Sequence, residues 1–224
     1  MSGGASSEDN SYDERYVANA AYVDQFHPSH ELKAGIELNM SRIYEDRLQF
    51  HNDNPANKFI WSADVSPIQL SAYVQDKIEF AGMIANIGLR WDYYDVNKNL
   101  PNPNVSLDYA TNADVLDAFV TGAYPTIRPT AKTHVSPRIG VAFPITVNSK
   151  VYFNYGHFVQ MPNTRAMYST SQDFELNRMF WMGNPTMDWQ KSYNYELGYD
   201  QNIYNLLQFH IGAYYKDYHD QAMD

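Results

Sequence analysis

Carboxylates and cations that fall in the polar phase of alternating segments are the first candidates for chemistry in this sequence. Glu37, Asp92, Glu196 and Asp200 share that phase with Lys33, Lys77, Arg90 and Arg138, and paired carboxylates could act as general acid and base. Charge pairing along a polar wall explains the same residues without chemistry. His27 and His30 flank Pro28-Ser29, where a turn accounts for them, since metal ligation needs three or four convergent groups. The run Asp95-Val96-Asn97-Lys98-Asn99 resembles the start of a calcium loop, but Leu100 stands where glycine is required and Ser106 where a bidentate glutamate belongs. There is no cysteine, nor a serine elbow, phosphate loop or dinucleotide fingerprint. The expectation is a protein that is not an enzyme, with no catalytic residue, metal or cofactor.

Binding is better represented. Long polar links between the alternating segments carry Tyr124, Arg128, Arg165, Tyr168, Phe180, Trp181 and Trp189. Side chains of these types contact ligands by stacking and charge, and binding residues concentrate on loops held by a rigid sheet. Packing of loop against loop is the competing account. A formal net charge of -10 argues against a nucleic-acid partner, because a phosphate backbone requires clustered Lys and Arg.

The elements that would position these residues are strands. From Lys191, Tyr193, Tyr195, Leu197 and Tyr199 alternate with Asn194, Glu196, Gly198 and Asp200, and after Tyr204-Asn205 a second run places Leu207, Phe209, Ile211, Ala213 and Tyr215 in one phase. Two such runs make a hairpin. Matching pairs surround Ala81-Gly82, the turn at His27-Pro28-Ser29, and Thr146 to Ser149. The sum is an all-β antiparallel meander of about eight long strands. Hairpin turns are short, whereas the links near 50–66, 96–134 and 161–190 are long. Short turns at one end and long loops at the other are the pattern of a transmembrane β-barrel. Aromatics near strand ends, at Phe26, Phe80, Trp91, Tyr93, Tyr94, Phe143, Tyr204 and Tyr215, fit the girdles of such a wall. Local helix is expected within 108–120 and 162–180. Mean hydropathy is -0.53, which does not oppose this reading, because barrel strands alternate apolar with polar residues.

Several ordered segments resemble the barrel of TonB-dependent outer-membrane receptors. They are Pro137-Arg138-Ile139-Gly140, an aromatic strand ending in Gln160-Met161-Pro162, Gly183-Asn184-Pro185, and the strand with Tyr195-Glu196-Leu197-Gly198. The family usually continues the Gly-Asn-Pro segment with a Leu-Lys-Pro-Glu type stretch, whereas Thr186-Met187-Asp188-Trp189-Gln190 stands here. The resemblance implies a receptor that imports a small-molecule or oligosaccharide ligand, such as a metal chelate, vitamin or sugar chain. It implies contact with outer-membrane lipid of a Gram-negative cell, and with TonB through a plug region that is missing from this stretch. The expected organisation is a disordered polar N-terminus at 1–12 and a partial barrel over 13–224, a fragment of the whole receptor. A passive porin-like small barrel and a soluble β-sandwich binding module are the alternatives.

Overall fold

The computed structural model describes residues 7–50, 58–105, 118–119, 121–173 and 178–222. Its strands are β1 (Ser7–Asp9), β2 (Tyr12–His27), β3 (His30–Phe50), β4 (Lys58–Val65), β5 (Ile68–Phe80), β6 (Met83–Asp95) and β7 (Leu100–Pro101). They continue with β8 (Thr126–Ile127), β9 (Lys132–Thr146), β10 (Ser149–Gln160), β11 (Thr170–Asp173), β12 (Arg178–Met182), β13 (Gln190–Ile203) and β14 (Leu207–His219). A short helix, α1 (Thr164–Tyr168), precedes β11.

The two-residue period becomes two chemically distinct faces because the register keeps like phases together across neighbouring strands. Ile78, Ala85, Val141, Phe153, Leu197 and Ala213 are successive cross-strand partners on one face. One residue out of phase, Gln75, Gly88, Arg138, Gly156, Asn194 and Lys216 form a row on the other. A slip of one residue would exchange the faces, so the pattern fixes the pairing. The apolar face is bare: Ile36 is 59% exposed, Leu197 55% and Ile211 58%. A contiguous apolar surface of this extent exceeds what a monomer in water carries, and requires a non-aqueous neighbour.

Turn chemistry sets the hairpins. Ala81 and Gly82 sit at φ 48° and 80°, and Tyr204 and Asn205 at φ 52° and 55°, the paired left-handed geometry whose twist suits a tight hairpin. The pairs β2–β3, β5–β6, β9–β10 and β13–β14 all close through short connections at one end, with the left-handed pair at β5–β6 and β13–β14. The sheet is not closed: among the described residues, β2 pairs only with β3 and β14 only with β13.

The long links contain more order than expected. Strand β3 runs for 21 residues, roughly 70 Å at strand rise, and its second half overshoots β5. Strand β4 pairs with that overhang, β11 with β4, and β12 with β11, while β1 lies on the other side of β3. Trp61, Ala63 and Val65 are buried on β4 while Asp64 is exposed, the same alternation on a smaller scale. Pro67, which has no N–H to donate, separates β4 from β5, and its carbonyl accepts from Ser41 N at 3.1 Å.

Three expectations are corrected. The polar tail expected at 1–12 is strand at Ser7–Asp9 and from Tyr12, tied to β3 by Arg47 and Asp9 at 2.9 Å; residues 1–6 are outside the described set. Tyr94, expected among girdle aromatics, lies on the face opposite Tyr93 and is buried. The helix expected within 162–180 is only α1, followed by the hairpin β11–β12, because β4 offers Thr170–Asp173 an edge to pair with. The expectation at 108–120 falls outside the described residues apart from Ala118 and Phe119.

Candidate functional site: the mouth above the sheet

Beyond the ends of the long strands, the overhang of β3 with β4 and β11 forms a wall over which α1 and the 183–189 segment fold. Ala63, Val65, Tyr94, Val96, Leu100, Met161, Met167, Tyr168 and Trp189 make one buried cluster there, with Ile43, Val159 and Met187 against it. A core at this level gives the mouth a fixed shape, which loops of polar composition alone would lack.

Helix α1 is held at both ends. Asn163 Oδ1 accepts from Ala166 N at 2.7 Å as the N-cap, and Asn184 N donates to Ala166 O at 2.8 Å. Gly183 N donates to Ser169 O at 2.8 Å, a contact so close that a Cβ on Gly183 would meet the Met167 carbonyl carbon and Tyr168 nitrogen at 2.6 Å. Asn184 Oδ1 then accepts from Thr186 N at 3.0 Å, and Lys132 Nζ donates to Thr186 O at 3.0 Å. Gly183-Asn184-Pro185 is thus a clasp across the C-terminal end of the helix. Gly183→Ala is expected to destabilise the mouth by about 1–3 kcal/mol, because the obstruction is backbone rather than a mobile side-chain end. Limited proteolysis of the 161–190 segment would report it, and a cleavage rate equal to the parent's would refute the clasp.

The expected binding residues divide into two groups. Tyr168 and Trp189 belong to the buried cluster, and Tyr124 lies in a smaller one with Val105, Phe119 and Met182. The hydroxyls of Tyr168 and Tyr94 are hydrogen-bonded to one another. Burial pushes the Tyr168 phenol well above its ordinary value, reinforced by Tyr94 and by Asp95, so it stays neutral as a packing group. Burial also raises Tyr124, whose hydroxyl donates to Asn102 O at 3.4 Å. Packing of loop on loop describes these three.

Arg128, Arg165 and Trp181 remain on the surface. Arg128 Nη2 lies 3.0 Å from Asp95 Oδ2 and 3.3 Å from Asn97 Oδ1, and Asp95 Oδ1 also accepts from Asn97 N at 2.7 Å. The acidic residue that began the calcium-like run is therefore committed to arginine and to its own turn. Among the described residues, no cluster of His, Asp and Glu could hold a metal. Arg165 stacks its guanidinium 4.1 Å from the centre of the Trp61 ring, and Trp181 Nε1 donates to Arg165 O at 3.3 Å. Arg165 and Trp181 are the two expected residues that the fold brings together in the open. Arg165 also borders a groove of about 330 Å³ with Asp13, Glu45 and Arg47. The side chain of Phe180 is outside the described set.

Among the described residues, most of the charged groups of the polar face that the sequence singled out are drawn into ion pairs and hydrogen bonds. Arg90 binds Asp92 at 2.9 Å, Lys150 binds Asp200 at 3.2 Å, and Lys77 binds Glu79 at 2.6 Å, while Glu196 accepts from Asn154 at 3.0 Å. The result is a polar wall on which these carboxylates are met by cations or, at Glu196, by amide and phenol donors. One feature was missed in the sequence: a depression of about 440 Å³ lined by Gln75, Asn86, Arg138, Asn154, Asn194 and Glu196. Its floor is open because Gly88, Gly140 and Gly156 fall on three adjacent strands. The glycines stood in the polar phase of their segments and were the available signal.

Comparison with known proteins bears on this arrangement. The family model described as TonB dependent receptor-like, beta-barrel, matches residues 2–224. No curated protein matches the chain. Among solved structures, the Serratia marcescens hemophore receptor HasR, as a double mutant in complex with its hemophore HasA and heme, is similar at 15% identity with a TM-score of 0.47. The match covers 93% of this chain and 40% of that one.

Proposed function

Since the chain belongs to the TonB dependent receptor-like β-barrel family, we propose that it forms wall and outer mouth of a ligand-gated importer in the outer membrane of a Gram-negative cell. The observation that carries this reading is the division of eight long strands into one bare apolar face and one polar face in continuous register. Lipid is the non-aqueous neighbour that such a face needs, and water or a plug fills the polar interior. The short turns then lie on the periplasmic side and the 161–190 segment outside. In this reading residues 13–224 are a partial barrel with its outer links, and TonB acts on a plug region rather than on these strands. The protein moves a solute and catalyses no covalent chemistry.

Ligand capture falls to the exposed pair at the mouth, Arg165 and Trp181, with Trp61 beneath the guanidinium. A guanidinium held against an indole beside a second, half-open indole offers charge, hydrogen-bond donors and an apolar plane together. Metal chelates, corrin-type vitamins and oligosaccharides all present surfaces of that kind. The test is binding by the whole receptor to a panel of ferric chelates, cobalamin and oligosaccharides. For the ligand that the parent binds, combining Arg165→Ala with Trp181→Ala should weaken affinity at least tenfold, or about 1.4 kcal/mol, with no loss of assembled barrel. Unchanged affinity would remove the pair from the site. The sandwich alternative has its own test, since it requires the chain to be a monodisperse monomer in water without detergent.

A further inference from the structure

The depression on the polar face is framed by hydrogen-bonding side chains set on either side of its glycines. In one cross-strand row, Gly88 separates Gln75 from Arg138, and Gly156 separates Arg138 from Asn194. In the next row, Gly140 separates Asn86 from Asn154, whose other neighbour is Glu196. The space of about 440 Å³ falls in the range of small-molecule sites, about 300–1,000 Å³.

Bonds within the wall decide which groups remain for a ligand. Gln75 Nε2 donates to Asn86 Oδ1 at 3.3 Å, which leaves Asn86 Nδ2 to donate and Gln75 Oε1 to accept. Ser192 Oγ donates to Asn194 Oδ1 at 2.7 Å, which leaves Asn194 Nδ2 to donate. Arg138 is exposed and stands over Phe158, its guanidinium carbon 4.7 Å from the ring centre. A guanidinium placed on a ring keeps its N–H groups for partners in its own plane. Among the described residues no carboxylate reaches it. Asp92 is held by Arg90 at 2.9 Å, and Glu196 accepts from Asn154 Nδ2 at 3.0 Å and from the Tyr152 hydroxyl at 3.3 Å. The depression therefore offers one uncompensated cation, two amide donors and an amide acceptor around a glycine floor.

That set selects a ligand chemistry. A bare anion would answer Arg138 and leave the amides idle, and a neutral sugar would answer the amides and leave the guanidinium without a counter-charge. A carboxylate that also carries hydroxyls answers both, because a hydroxyl donates and accepts at once. We propose that the depression is a subsite on the inner wall for an acidic saccharide, with its carboxylate on Arg138 and its hydroxyls on Asn86, Asn194 and Gln75 Oε1. The assignment rests on the reading of the polar face as the barrel interior, and adds to the mouth a second station with a stated ligand class.

The test is calorimetric titration of the whole receptor, in detergent, with digalacturonate and with its neutral counterpart galactobiose. The receptor carries Arg165→Ala and Trp181→Ala throughout, so that the mouth pair does not contribute. The expected result is binding of digalacturonate at least fivefold tighter than galactobiose. Arg138→Gln should abolish that preference. Asn194→Asp should abolish it too, since it keeps the acceptor for Ser192 but sets a carboxylate across Gly156 from Arg138. Glu37→Gln, on the same face but on β3, should leave it intact. Equal affinity for the two disaccharides, a preference that survives both Arg138→Gln and Asn194→Asp, or no binding in this background overturns the proposal. A heat-modifiable gel shift on the same samples separates these results from failure of the membrane reading: an assembled barrel that gives any of them refutes the depression alone.

Discussion

Leu89→Arg is expected to cost the assembled barrel about 2–4 kcal/mol, the penalty for a cation on the lipid face near the bilayer midplane. Leu89 is the central residue of β6 and is 52% exposed on the apolar face, so the guanidinium would have hydrocarbon on every free side and no carboxylate across the row, where Val74 and Pro137 stand. The control is Asn86→Arg on the same strand. Asn86 lines the depression on the polar face, where an added guanidinium meets water and lies one strand beyond Gly140 from Asn154. Urea unfolding in liposomes should show a lowered midpoint for Leu89→Arg and a midpoint near the parent's for Asn86→Arg. The reverse ranking would mean that the faces have been assigned the wrong way round, and the receptor reading would fall with them.

That test is possible because the faces were legible in the sequence. Alternation is local information: Lys191 to Asp200 declares its two phases without reference to any other strand, and the register then only has to bring like phases together. The positions of the hairpins were legible for the same reason, since Ala81-Gly82 and Tyr204-Asn205 mark turns on their own. What was not legible depends on distant segments. Tyr94 looks like its neighbour Tyr93 until α1, 74 residues away, brings the Tyr168 hydroxyl to it. Tyr124 and Trp189 look like loop aromatics until partners from other links enclose them. The β4 strand was readable in principle from Trp61, Ser62, Ala63, Asp64 and Val65, but the run is short, and only the overhang of β3 gives it something to pair with. Arg165 and Trp181 could be named as exposed binding types, but their meeting depends on where α1 is clasped.

The stretch that departs from the family's usual continuation after Gly-Asn-Pro supplies the second large effect. Trp189 is 5% exposed, stands edge-on to Tyr94 with ring centres 6.1 Å apart, and belongs to the mouth cluster. Trp189→Ala should cost about 3–5 kcal/mol, the transfer and cavity cost of a large buried aromatic, and should loosen α1 and the 183–189 clasp together, since both rest on the same cluster. Hydrogen exchange of the 161–190 segment in the assembled receptor would measure it. Trp189 Nε1 is buried with no hydrogen-bond partner, so Trp189→Phe removes an unsatisfied donor while keeping an aromatic ring in place. It should therefore lose much less than Ala, because the packing deficit is partly offset by the about 1–3 kcal/mol that an unsatisfied buried polar group costs. If Phe proves as damaging as Ala, the indole N–H has an essential partner in the assembled receptor, and Trp189 belongs with Arg165 and Trp181 as a binding residue rather than beneath them as their support.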